Sequence, residues 1–243
     1  MTTTNASPTV LLIPGHWLGA WAWDEIAEHL DPARERTTAM TLPGLDPADP
    51  ARTTRTLDDQ VEAILTALAD ADAADLPAMI VAHSGANAPV SIVLDRHPEL
   101  VRRVVWVDSG PAAPGVAFAP DLPDAVAELP LPPFDALAQQ ASLEGLSAGD
   151  LERFRTRAVP EPGPVLRQPI ALSNPQRHAV PTTLVCCSLP SAQVRELADA
   201  GHPMFAEVAL LDDVTVVDLP TGHWPMWSRT ADLAETIRVE ATR

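Results

Sequence analysis

A chain of 243 residues, 46% apolar and 20% charged, has the composition of a globular protein that needs no disulfide staples. Its net charge is −17 and all sixteen basic residues are arginine, a field that repels nucleic acid and anionic membrane surfaces, so neither is expected as a partner. No run reaches the ~20 apolar residues of a membrane span, and Met1–Pro8 lacks a basic stretch leading into an apolar one, so no signal peptide is expected. The two cysteines, Cys186 and Cys187, are neighbours in an apolar run. In a strand they point to opposite faces, which argues against a bridge and for a reducing, cytoplasmic setting.

In chain order, short apolar or β-branched runs bounded by turn residues fall at Thr9–Pro14, Thr37–Leu42, Met79–Ala82, Val104–Val107, Thr183–Cys187 and Val214–Leu219. Such runs predict strands buried on both faces. Between them, helical spacing covers Trp23–Leu30, Leu57–Ala73, Asn87–Leu94, Ser191–Ala200 and Thr230–Ala241. This alternation predicts an α/β fold with a doubly wound, mainly parallel sheet of about six strands. The rhythm breaks at Pro111–Pro181, which holds thirteen of the 26 prolines and two helix candidates, Asp135–Ala141 and Ser147–Arg157, the second with Ser147 as N-cap. Seventy residues are too many for a plain connector. The expected organisation is a core of residues 1–110 and 182–243 with residues 111–181 inserted as a helical cap over the carboxyl ends of the strands.

The chemistry gathers at three junctions. Met79-Ile-Val-Ala-His-Ser84-Gly-Ala-Asn takes a strand into a helix with Ser84 at the turn and small residues, Ala82 and Ala86, two positions to either side. A tight, strained turn needs small flanks, and the helix it opens has amides suited to developing negative charge. Pro89 falls in that helix's first turn, where it costs no hydrogen bond. Upstream, Pro14-Gly-His-Trp17 ends the first strand in a loop whose His16 backbone N–H can converge with that of Gly85 to form an oxyanion hole. Trp17 is a candidate pocket wall, whereas Trp21 and Trp23 are expected to pack. Downstream, Gly222-His223-Trp224 follows the last strand, and a histidine there is placed to activate the weak Ser84 alcohol. Trp224 is a second candidate pocket residue. His83 is expected to be a hydrogen-bonded structural histidine, and His29 and His97 to lie on helical segments. No cofactor and no metal is called for, and the oligomeric state has no sequence signal.

Taken together, the loop, the serine turn and the terminal Gly-His resemble the α/β-hydrolase superfamily over nearly the whole chain. The spacing Gly15, Trp17, Gly19-Ala-Trp21, Trp23 is similar to the small plant-type esterase and hydroxynitrile lyase branch. The resemblance implies a Ser–His–acid triad and an inserted helical cap. Two departures stand out. Pro14-Gly15 replaces the family's usual His-Gly. Where the family's acid usually follows the strand at Thr183–Cys187, this chain reads Ser188-Leu-Pro-Ser191, with no acidic residue until Glu196. In haloalkane-dehalogenase-like relatives the acid follows the preceding strand, a position that is Asp108 here; Glu196 and Asp199 are the fallbacks.

The resemblance implies hydrolysis of a small or medium ester or lactone by Ser84, His223 and Asp108, a small molecule being the only partner. Hydroxynitrile lyase chemistry fits less well, since Trp224 stands where one type of that activity has lysine, and Gly15 is retained where the other has asparagine. A cofactor-free dioxygenase using a His223–Asp108 dyad on a heteroaromatic substrate, its pocket lined by tryptophans with Phe134 or Phe154, is an alternative. A non-catalytic binding module on the same fold is another.

Overall fold

A computed structural model describes residues 9–31, 36–72 and 77–243. The segment weighed as a signal peptide, Met1–Pro8, and Ala73 at the end of the second expected helix lie outside the described residues.

Six strands form one parallel sheet: β1 (Thr9–Ile13), β2 (Arg36–Ala39), β3 (Ala78–His83), β4 (Val101–Val107), β5 (Thr182–Cys186) and β6 (Val214–Asp218). Their order is β2-β1-β3-β4-β5-β6. Alternate residues of the inner strands feed two separate cores, as the two-residue period of a strand requires. Leu11, Ile80, Val104 and Leu184 face one side, against α2 (Leu57–Asp72), α3 (Asn87–Arg96) and α5 (Ser191–Asp199). Val10, Met79, Val105 and Val185 face the other, against α1 (Asp24–His29) and α6 (Thr230–Ala241). β4 begins at Val101, earlier than expected, because Arg103 is accommodated by a buried ion pair with Glu240 at 3.3 Å and a bond to Thr183. The expectation of burial on both faces fails at β2 and β6. Both are edge strands with a neighbour on one side only, so their outer residues keep contact with solvent. β2 also ends at Ala39 rather than Leu42.

The strand order reverses between β1 and β3, and at such a switch point a crevice opens outside the carboxyl ends of the strands. The long segment between β4 and β5 crosses this region. Its main helix, α4 (Ala148–Arg157), starts at Ser147, whose hydroxyl accepts from the Asp150 amide while the Asp150 carboxylate accepts from the Ser147 amide. The helix expected at 135–141 is only the turn Phe134–Leu137. A ribbon that periodicity could not show pairs Glu128–Leu129 with Glu161–Pro162, two residues on each side.

This segment is tied to the sheet layer by packing. The fully buried Phe154 has its ring centre 5.3 Å from Trp224 and 5.4 Å from Trp227. The Arg153 guanidinium lies 5.1 Å from the Trp227 ring centre and bonds Glu25, and Arg157 lies 4.7 Å from the Trp21 ring centre. Trp21 itself stacks on Trp227 at 5.6 Å. Phe154→Ala should therefore cost about 3–5 kcal/mol in urea unfolding, a loss set by the cavity it leaves. A loss below about 1 kcal/mol would show that the segment is not anchored here.

Candidate active site

Three residues other than glycine have left-handed backbone among the described residues: Trp17 (φ 65°), Ser84 (φ 51°) and Asp108 (φ 44°). Each stands where the chain leaves a strand of the sheet, after β1, β3 and β4. Such conformations cost of order 1–3 kcal/mol and persist only where the surroundings enforce them. At Ser84 the enforcement is visible. A Cβ on Gly15 would lie 2.7 Å from Ser84 Cβ and 3.0 Å from His83 O, so only glycine lets the first loop close on the turn. Ala82 and Ala86 are buried beside it, and the first turn that follows leaves the Gly85 N–H without an intrahelical acceptor.

The strand ends bring the expected residues together. Ser84 Oγ lies 2.7 Å from His223 Nε2, and His223 Nδ1 lies 2.6 Å from Asp108 Oδ2. Asp108 Oδ1 accepts the amides of Cys187 (3.1 Å) and Ser188 (2.8 Å), and the Ser188 hydroxyl donates to Oδ2 at 2.6 Å. Burial alone would raise the Asp108 pKa. The bond and charge of His223, with the Ser188 hydroxyl and amide, outweigh burial and hold the carboxyl below its usual range. Ser188, at the position where the resemblance expects the acid, thus donates to Asp108 instead. Glu196 and Asp199 are exposed on α5.

His223 is also held through its backbone. Its N–H donates to Ser142 O at 2.8 Å, and its carbonyl accepts Nε2–H of His83 at 2.8 Å. His83 is buried, and burial above all, with the neighbouring His223, pushes its pKa down to about 3. It is a neutral, hydrogen-bonded histidine that holds the His223 backbone.

Ser84, His223 and Asp108 open onto a cavity of about 1150 Å³ whose walls include Trp17 and Trp224. His16 and Gly85 line the same space, and the amide of Trp17 is engaged by Glu161 at 2.9 Å. Glu161 escaped sequence reasoning. It lies in a proline-rich stretch without periodicity, 144 residues from Trp17, and a lone glutamate there carries no signal. Trp21 and Trp23 pack as expected, and Trp23 is fully buried.

The family profile described as the alpha/beta hydrolase family matches residues 10–236. The chain belongs to the alpha/beta hydrolase family. Membership puts it among the hydrolases. No curated protein matches it in sequence. Solved structures similar to this alpha/beta hydrolase include an extracellular alpha/beta-hydrolase from a Paenibacillus species (19% identity, TM-score 0.73, covering 96% of this chain and 98% of that one). A methylesterase from Arabidopsis matches at 15% identity and TM-score 0.71, covering 97% and 99%. A pyrethroid hydrolase from Sphingobium faniae matches at 20% and 0.69, covering 97% and 98%. At these identities the likeness carries the fold and nothing finer. Among the described residues no helix is long and apolar enough to cross a membrane.

The buried His83 predicts a loss of stability in acid. Between its ordinary pKa of 6.5 and about 3, the unfolded chain binds a proton that the folded chain does not. Stability from this group is therefore complete above pH 6.5 and is lost as pH falls, by up to about 1.4 kcal/mol per pH unit. His83→Gln, which can still donate to the His223 carbonyl, should reduce the stability difference between pH 7 and pH 5 by about 2 kcal/mol in urea titrations. An unchanged difference would mean that His83 titrates normally.

Proposed function

We propose that the chain is a serine hydrolase that cleaves a carboxylic ester or lactone through an acyl-enzyme on Ser84. The observation that carries this is the continuous chain Ser84 Oγ–His223–Asp108, at 2.7 and 2.6 Å. In the reaction Ser84 Oγ attacks the carbonyl carbon as His223 Nε2 takes its proton. Asp108 holds the imidazole by Nδ1–H and stabilises the imidazolium. The amides of His16 and Gly85 receive the oxyanion, an arrangement whose single donors are worth about 3–4 kcal/mol elsewhere. His223 then passes the proton to the leaving alkoxide, and water, deprotonated by His223, releases the acid and restores Ser84.

At about 1150 Å³ the cavity is somewhat larger than the ~300–1,000 Å³ usual for small-molecule sites, which favours a medium-sized over a small ester. Residues 111–181 act as the cap that shapes it. Ester cleavage is also in keeping with the methylesterase and pyrethroid hydrolase among the similar structures. The free, buried Cys186 and Cys187 accord with a reducing compartment such as the cytoplasm. A cofactor-free dioxygenase would use the same His223–Asp108 dyad. The hydrogen bond from Ser84 and the strained turn that aims it serve a nucleophile, and neither is needed by a dioxygenase or by a binding module.

A fluorophosphonate probe should label wild type and leave Ser84→Ala unlabelled. Absence of labelling together with oxygen uptake on a hydroxyquinolone would overturn the hydrolase reading in favour of the dioxygenase. Asp108→Asn should lower kcat on a chromogenic ester about 10⁴-fold with an unchanged circular dichroism spectrum. Near-full activity in that folded variant would remove Asp108 from the triad.

A further inference from the structure

A second imidazole–carboxylate pair stands at the same cavity, outside the triad. His16 Nδ1 lies 3.1 Å from Glu161 Oε1, which also accepts the Trp17 amide at 2.9 Å. A carboxylate only accepts, so Nδ1 carries the hydrogen, and in that tautomer Nε2 is the acceptor of the ring. That nitrogen makes no hydrogen bond among the described residues. The ring lies directly over the serine turn, because a Cβ on Gly85 would come within 2.3 Å of His16 Nε2. Phe118 covers its other side, ring centres 4.2 Å apart.

Glu161 adds an independent observation. It is 1% exposed, borders the cavity, and has its Oε2 buried with no hydrogen-bond partner among the described residues. A buried carboxylate with one bare oxygen costs stability that a leucine would not, and such an orphan calls for a ligand or a role. Its position is also imposed from both strands of the short ribbon. The Trp17 indole N–H donates to Leu129 O at 3.1 Å while Glu161 takes the Trp17 amide, so the ribbon grips the first loop at two points.

We infer that His16 and Glu161 form an acyl-side subsite for a substrate hydroxyl close to the scissile carbonyl, so that esters of 2- or 3-hydroxy acids are the preferred class. The inference rests on the serine-hydrolase reading and deepens it. At the attacked carbon, one substituent is Ser84 Oγ, the oxyanion meets the amides of His16 and Gly85, and the leaving oxygen must face His223, which protonates it. The acyl chain is left to run beside the His16 ring. The unpartnered His16 Nε2 in an apolar wall selects a donor, and a hydroxyl supplies one without bringing a charge out of water. Glu161 is the positioning residue: it fixes the tautomer and the tilt of His16.

The test compares 4-nitrophenyl 3-hydroxybutyrate with 4-nitrophenyl butyrate. Wild type should favour the hydroxy ester at least about tenfold in kcat/KM, since a site built to bind a hydroxyl penalises its absence. His16→Phe keeps the ring and the backbone amide but removes Nε2, and should bring that ratio to about one. Glu161→Gln, which still accepts from His16 and Trp17, should retain most of the preference. Glu161→Leu should lose it, with the loss appearing in KM for the hydroxy ester. Calorimetric binding of methyl 3-hydroxybutyrate and methyl butyrate to Ser84→Ala, with and without His16→Phe, makes the same comparison free of turnover. If Ser84→Ala still hydrolyses esters, the serine reading fails while the binding ratio continues to decide the subsite. A ratio that His16→Phe leaves unchanged in both assays overturns the inference.

Discussion

Left-handed backbone at three strand ends is the constraint on which the rest of the site depends. Trp17, Ser84 and Asp108 leave β1, β3 and β4 with φ of 65°, 51° and 44°. No side chain gains from such a conformation locally. It is held by what closes around it: Gly15 against the serine turn, Glu161 on the Trp17 amide, and the Cys187 and Ser188 amides on the Asp108 carboxylate. The three junctions lie next to one another because β1, β3 and β4 are adjacent in the sheet. Parallel strands carry all their carboxyl ends to one edge, so turning the chain sharply at three neighbouring ends concentrates polar groups in one crevice.

Asp108 and Ser188 meet across two neighbouring strand ends. β4 and β5 pair in parallel register, with Val107 opposite Val185, so a carboxylate just beyond β4 and one just beyond β5 open toward the same imidazole. Asp108 uses the first position and receives the hydroxyl and amide of Ser188, which occupies the second. Burial raises the carboxyl's pKa, and the bond and charge of His223, joined by those donors, outweigh it and hold the pKa below the usual range. His83 completes the support from the opposite side, neutral because it is buried.

The segment between β4 and β5 does more than cover the crevice. Its backbone accepts the amides of Gly222 and His223, at Glu144 O and Ser142 O, and Phe154 packs on Trp224 next to the histidine. The position of His223 therefore depends on this segment as well as on His83. The His16–Glu161 pair repeats that arrangement at the other wall, with one partner from the first loop and one from the ribbon.

Much of this was readable from residue order. Strand–helix alternation established the doubly wound sheet because fully buried inner strands are apolar whichever way they face. Ser84 and His223 each follow a strand at a turn that local chemistry marks, with small flanks at Ser84 and Gly222 before His223, whereas only the resemblance to relatives whose acid follows the preceding strand singles out Asp108. Residue order predicts burial for the edge strands β2 and β6 as well, since apolar character does not reveal which strands lack a neighbour. Glu161, the ribbon that carries it and the hold of residues 142–144 on His223 were decided by tertiary structure alone. Their contacts join residues far apart in a proline-rich stretch that has no period, and only the folded chain sets which of its groups meet the strand ends.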